Sequence, residues 1–118
     1  MEKLDVLSAL AALAQESRLD VFRLLVQAGT DGLPAGQIGD RLGLPAATLS
    51  FHLNQLRQAG LVTFRREGRS LIYTAGYATM NGLLAYLTQN CCQGDASGCQ
   101  VSICDPPVLV NVTQGTRR

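Results

Sequence analysis

The sequence of 118 residues has no tryptophan and only six other aromatic residues. A core must therefore be filled with aliphatic side chains. Histidine occurs once, at His52, which excludes the two-histidine zinc helix of metalloproteases. Charge of one sign is also missing. Ten basic against nine acidic residues leave a formal net charge of +1, so any surface for a polyanion has to come from local clustering. No apolar run reaches the length of a membrane span, and no basic-then-apolar leader opens the chain. The expectation is a cytoplasmic protein with no membrane partner. A P-loop, a dinucleotide fingerprint and a nucleophile elbow are absent. A cysteine nucleophile would want a histidine base, and His52 lies far along the chain from every cysteine, so the chain is not expected to be an enzyme.

What is present is leucine and alanine at helical spacing, in a length that suits one small domain. Leu4, Leu7, Leu10, Ala11 and Ala14 predict a first helix over about 3–14. Ser17 with Asp20 reads as a capping box opening a second helix, with Leu19, Phe22, Leu25 and Val26 along it and Gly29 closing it. After a turn at 30–32, Pro34 suits the first turn of a third helix, with Ile38 and Leu42 facing inward and Gly43 beyond its end. Pro45 opens a fourth helix striped by Leu49, Leu53 and Leu56 and closed by Gly60. Two β-rich runs, 62–66 and 69–73, flank Glu67-Gly68 and read as a hairpin. A last helix carries Met80, Leu83, Leu84 and Leu87 and runs to about Asn90. The fold class expected is mainly α: a winged helix-turn-helix with a small β-hairpin wing over 1–90, followed by a cysteine-rich segment at 91–104 and a tail at 105–118.

This order of elements points to DNA. A short helix, a glycine turn and a second helix form the helix-turn-helix, and the hairpin after it is the wing. With the leucine stripe inward, Thr48, Ser50, Phe51, His52, Asn54 and Gln55 occupy the rest of the fourth helix. Of these, Thr48, Ser50, His52 and Gln55 are the predicted contacts to base edges and phosphates of double-stranded operator DNA. Arg65, Arg66 and Arg69 on the hairpin are the densest positive patch and predict phosphate contacts with salt-dependent binding. A solvated surface with ordinary arginines is the plain reading of those charges taken alone. A metal role for His52 finds no Cys, Asp or Glu at helical spacing from it.

Three segments resemble the ArsR-type family of metal-responsive repressors. These are 11–19 (AALAQESRL), 48–62 (TLSFHLNQLRQAGLV), which resembles the family's recognition helix, and Arg65–Arg69 with Tyr73, which is similar to its wing. The likeness covers about 4–90. It implies a homodimer held by the first and last helices, for which Leu7, Leu10, Leu83, Leu84 and Leu87 are the expected contacts. It also implies operator binding without inducer and release with it. The sequence departs from many arsenic-responsive members at 33–38, where no Cys-x-Cys stands, and its last helix carries neither the histidine nor the carboxylates of the related zinc sites.

All four cysteines lie within 91–104. Cys91 and Cys92 are adjacent, six residues precede Cys99, and four more precede Cys104. Soft thiolates select soft ions, and trivalent arsenic or antimony takes three sulfurs in a pyramid. Cys91, Cys92 and Cys99 can supply them, because Gly94 and Gly98 allow the loop to reverse. Methylated arsenicals need fewer thiols and belong to the same class. Some family members place a vicinal cysteine pair and a third cysteine at this end of the last helix, so the resemblance points the same way. No cofactor is required on this reading, and the metalloid is the inducer. Three rivals stand beside it: a four-cysteine zinc or cadmium site, a redox disulfide such as Cys92 with Cys99, and thiols with no role.

Overall fold

The computed structural model describes residues 1–91. The chain forms two compact units, Met1–Leu83 and Leu84–Arg118. Five helices and a small antiparallel sheet make up the described residues: α1 (Lys3–Leu13), α2 (Glu16–Ala28), α3 (Ala35–Leu42), α4 (Ala46–Gln58) and α5 (Tyr77–Leu87), with β1 (Leu33–Pro34), β2 (Val62–Glu67) and β3 (Ser70–Ala75).

Local chemistry sets the helix ends. Asp5 Oδ2 accepts the Glu2 backbone N–H at 3.2 Å, occupying one of the donors left over at the start of α1. The second helix starts earlier than Ser17. Gln15 lies in extended backbone just before it, and the Gln15 side-chain oxygen accepts the Arg18 N–H at 2.9 Å. Glutamine has therefore taken the capping role expected of serine, and Ser17 falls inside the first turn. A 3-10 turn over Gly29–Asp31 follows α2. Gly32 comes next, with φ +70°, and a Cβ there would lie 2.5 Å from the Tyr73 carbonyl oxygen. Only glycine permits this approach of the turn to β3.

Pro34 does not begin a helix. It belongs to β1 and occupies the N-cap position of α3 in extended backbone. The strand order is β1-β3-β2, with Leu33 opposite Tyr73, and Phe64 opposite Tyr73 on the other side. A two-residue edge strand tolerates the missing proline N–H, and so short a strand has no alternation to betray it in sequence.

The core of the first unit gathers Val21 and Leu25 from α2, Ile38 from α3, and Leu49, Leu53 and Leu56 from α4. Leu61 and Val62 complete it, all at most 3% exposed. The Tyr77 hydroxyl donates to the Val26 carbonyl at 3.0 Å and fixes the start of α5 against α2. Leu83 is buried in this unit at 7% exposure. It is therefore a core residue of its own chain, which corrects its expected place at a subunit contact. In α1 the leucines at 4, 7 and 10 are exposed, while Val6, Ala9 and Ala12 are buried. In the second unit Leu84 and Leu87 are exposed, the helix ends at Leu87 rather than near Asn90, and the Cys91 N–H donates to the Thr88 carbonyl at 3.0 Å.

Candidate nucleic-acid interface

The turn between α3 and α4 hinges on Gly43, whose φ of 67° and ψ of 33° are left-handed. The Leu44 N–H donates to the Gly39 carbonyl at 3.0 Å, closing the end of α3. Burial of Leu49, Leu53 and Leu56 then fixes which side of α4 faces out. Thr48, Ser50, Phe51, Asn54, Arg57 and Gln58 are exposed, with Phe51 at 57%. Hydroxyl and amide groups on this face can exchange hydrogen bonds with base edges, and an exposed ring can pack on a thymine methyl.

Two of the predicted α4 contacts are less exposed than the others. His52 is 7% exposed and turned inward. Its Nδ1 accepts a 3.4 Å hydrogen bond from Arg18 Nη1, and Arg18 Nε donates to the Ala12 carbonyl at 2.7 Å. Burial first, and then the Arg18 charge, hold the imidazole below its ordinary pKa. The neutral ring links α4 to α2 and, through Arg18, to the end of α1, so His52 is a packing residue rather than a groove contact. Gln55 is half-buried and, like the exposed Gln58, borders a small cleft with Ser8, Ala12 and Arg18, so it lies at the margin of the outward face. Thr48 and Ser50 remain exposed, as a groove contact requires.

Sequence reasoning passed over Arg57. Its guanidinium lies over the Phe64 ring, 5.6 Å from the centroid, and its Nη2 donates to Asn54 Oδ1 at 3.2 Å. It ties the outer face of α4 to the wing. The available signal was spacing, since Ser50, Asn54 and Arg57 follow one another at helical intervals along the exposed side.

The wing arginines differ from one another. Strand alternation puts Phe64 and Arg66 on one face of β2, and Arg65 and Glu67 on the other. All three arginines are exposed, but among the described residues only Arg65 is engaged by neighbouring groups. Arg65 is the partner in the one salt bridge among the described residues, with its Nε 2.7 Å from Glu67 Oε2. Its Nη1 and Nη2 donate to the Thr30 and Asp31 carbonyls at 3.2 and 2.9 Å. Three of its donors are directed at protein acceptors, which sets it apart from Arg66 and Arg69, although its side chain is still 44% exposed.

Among the thiols expected to hold a metalloid, Cys91 is half-buried at the end of the described chain. Cys92, Cys99 and Cys104 lie outside the described residues. Among the described residues no group of three His, Cys, Asp or Glu side chains gathers as a metal site, and no helix is long and apolar enough to cross a membrane.

A glycine-turned helix pair, an outward polar face on the second helix and a basic hairpin beside it define a winged helix-turn-helix protein. Residues 13–64 match a family model described as a helix-turn-helix domain. The chain is 33% identical over 86 residues to the transcriptional activator HlyU of Vibrio cholerae, covering 73% of this chain and 77% of that one. Among solved structures, an ArsR-like transcriptional regulator from Rhodococcus superposes with a TM-score of 0.67 at 28% identity, over 80% of this chain and 86% of that one. A homodimeric winged helix-turn-helix DNA-binding domain from Mycobacterium bovis, described as a possible ArsR-family regulator, gives 0.58 at 28% identity over 77% and 84%. The chain belongs to the ArsR family of winged helix-turn-helix transcriptional regulators. It stands with regulators and not with enzymes.

Proposed function

We propose that this chain is a cytoplasmic, homodimeric repressor that binds operator DNA and releases it when trivalent arsenic or antimony is captured by Cys91, Cys92 and Cys99. The observation that carries the DNA half is the pairing of two surfaces. The outward face of α4 bears Thr48, Ser50 and Asn54, and the neighbouring wing bears Arg66 and Arg69. The first can read base edges and the second can hold phosphates. The exposed leucines of α1 supply apolar surface for a second copy, and the Mycobacterium bovis relative is a homodimer. Two recognition helices related by a two-fold axis would meet half-sites about one helical turn apart.

The inducer half rests on the chemistry of the sequence. Three soft thiolates within nine residues match the three-sulfur pyramid of a trivalent metalloid. The metalloid must bind the low-affinity state better, with a coupling of about 1–3 kcal/mol. The test is a gel shift on a duplex that the protein selects from a random-sequence pool, with and without arsenite. Serine at 91, 92 or 99 abolishes release and leaves DNA binding intact, and Cys104→Ser keeps release. Loss of release in Cys104→Ser, together with one copurified zinc, replaces the metalloid by a four-cysteine divalent site. Release by peroxide alone replaces it by a disulfide switch.

A further inference from the structure

We propose that Arg65 is a positioning residue that staples the wing to the turn ahead of β1, and so sets the reach of Arg66 and Arg69 toward DNA. The sheet order places β3 between β1 and β2. Arg65 stands opposite Ile72 of β3, and Ile72 stands opposite Pro34 of β1. From the far edge strand, the Arg65 side chain therefore crosses the middle strand to reach Thr30 and Asp31, just before β1. Both acceptors are backbone carbonyls at the end of the 3-10 turn, groups that the turn itself leaves without internal donors. A guanidinium suits this place, because its planar fork can serve two successive carbonyls and still present Nε to Glu67.

The receiving end is closely packed. Gly32 brings the turn against β3 so closely that a Cβ would meet the Tyr73 carbonyl oxygen at 2.5 Å and Thr74 Cγ2 at 2.6 Å. The turn follows directly from α2, which packs on α4 and on β3. A wing fastened there is held in the same frame as the recognition helix. Without the staple, β2 keeps its hairpin bonds to β3 and the Arg57–Phe64 contact with α4, neither of which reaches the turn ahead of β1, and the wing tip beyond Phe64 can tilt. Glu67, on the same strand face, accepts from Nε at 2.7 Å and completes the fork.

The inference rests on the wing being a DNA-contacting element, and the experiment separates the two ideas. Operator affinity is measured against salt concentration for full-length Arg65→Ala, Arg65→Lys, Arg66→Ala and the unaltered protein, on the duplex that the unaltered protein selects from a random pool. A phosphate ligand loses about one unit of the salt slope when removed. Arg66→Ala is expected to do so. Arg65→Ala is expected to weaken binding about tenfold, the scale of one lost set of charge-assisted hydrogen bonds, with the slope unchanged. Arg65→Lys keeps the charge, loses the fork, and is expected to match Arg65→Ala. Should Arg65→Ala fail to fold, the Lys variant reads the same question. A slope lowered as in Arg66→Ala, unchanged affinity in Arg65→Ala, or full affinity in Arg65→Lys overturns the staple. If Arg66→Ala alters neither affinity nor slope while Arg65→Ala weakens binding with the slope unchanged, Arg66 falls as a phosphate ligand and the staple stands for the rest of the wing.

Discussion

In α1 the leucines at 4, 7 and 10 point to solvent at 79, 53 and 39% exposure, and the small residues Val6, Ala9 and Ala12 point inward. In α4 the leucines at 49, 53 and 56 point inward at no more than 3% exposure, and polar groups point out. Both helices carry leucine at helical spacing. The outer face of α4 is polar, so only one face can be buried and the stripe decides the orientation. α1 is apolar on both faces, so the stripe decides nothing, and the side that packs inward is the one with the smaller residues. The leucines at 4, 7 and 10 are left outside.

That contrast can be broken in four places. The largest effect is expected at Leu56→Ala. It empties a fully buried site and should cost about 2–5 kcal/mol by urea unfolding, with operator binding lost in proportion. Next is Ala9→Leu, which makes α1 leucine-rich on its buried side as well. Ala9 is fully buried, so overpacking should cost about 1–3 kcal/mol. A neutral Ala9→Leu would show that α1 can rotate to bury whichever face is larger.

A smaller effect is expected from pH at His52. Its pKa in the folded chain lies below the ordinary 6.5, so the unfolded chain takes up the proton first. Stability is complete above about pH 6.5 and falls as pH drops from there toward the lowered folded value. His52→Asn should flatten that part of the profile. An unaltered pH dependence in the variant would remove His52 from the packing of α4 on Arg18. The smallest effect is expected at Leu7→Ser. In dilute protein it should change stability by less than about 0.5 kcal/mol, while removing the dependence of melting on protein concentration. A loss as large as that of Leu56→Ala in dilute solution would reverse the two faces of α1.

The helix-turn-helix and the hairpin were legible because glycines punctuate them. Gly43, Gly60 and Gly68 all adopt positive φ where the sequence pattern demanded a break. The inward turn of His52 could also have been read. It stands three residues after Leu49 and four before Leu56, within the buried stripe itself. The role of Arg65 could not be read, because three arginines in one hairpin look alike until the chain brings residues 30 and 31 beside one of them. Leu83 shared a stripe with Leu84 and Leu87, and helical spacing alone does not separate a residue buried in its own core from one awaiting a partner. Gln15 escaped notice because glutamine is seldom chosen as a cap where a serine stands nearby.

The two edges of the small sheet have a further consequence. β1 is two residues long and ends in a proline that offers no N–H, and β2 presents Arg65, Arg66 and Glu67 along its length. Neither edge invites another strand to add. The charged side chains along β2 therefore have a second consequence, with or without DNA: they keep copies of the protein from joining edge to edge into insoluble sheets.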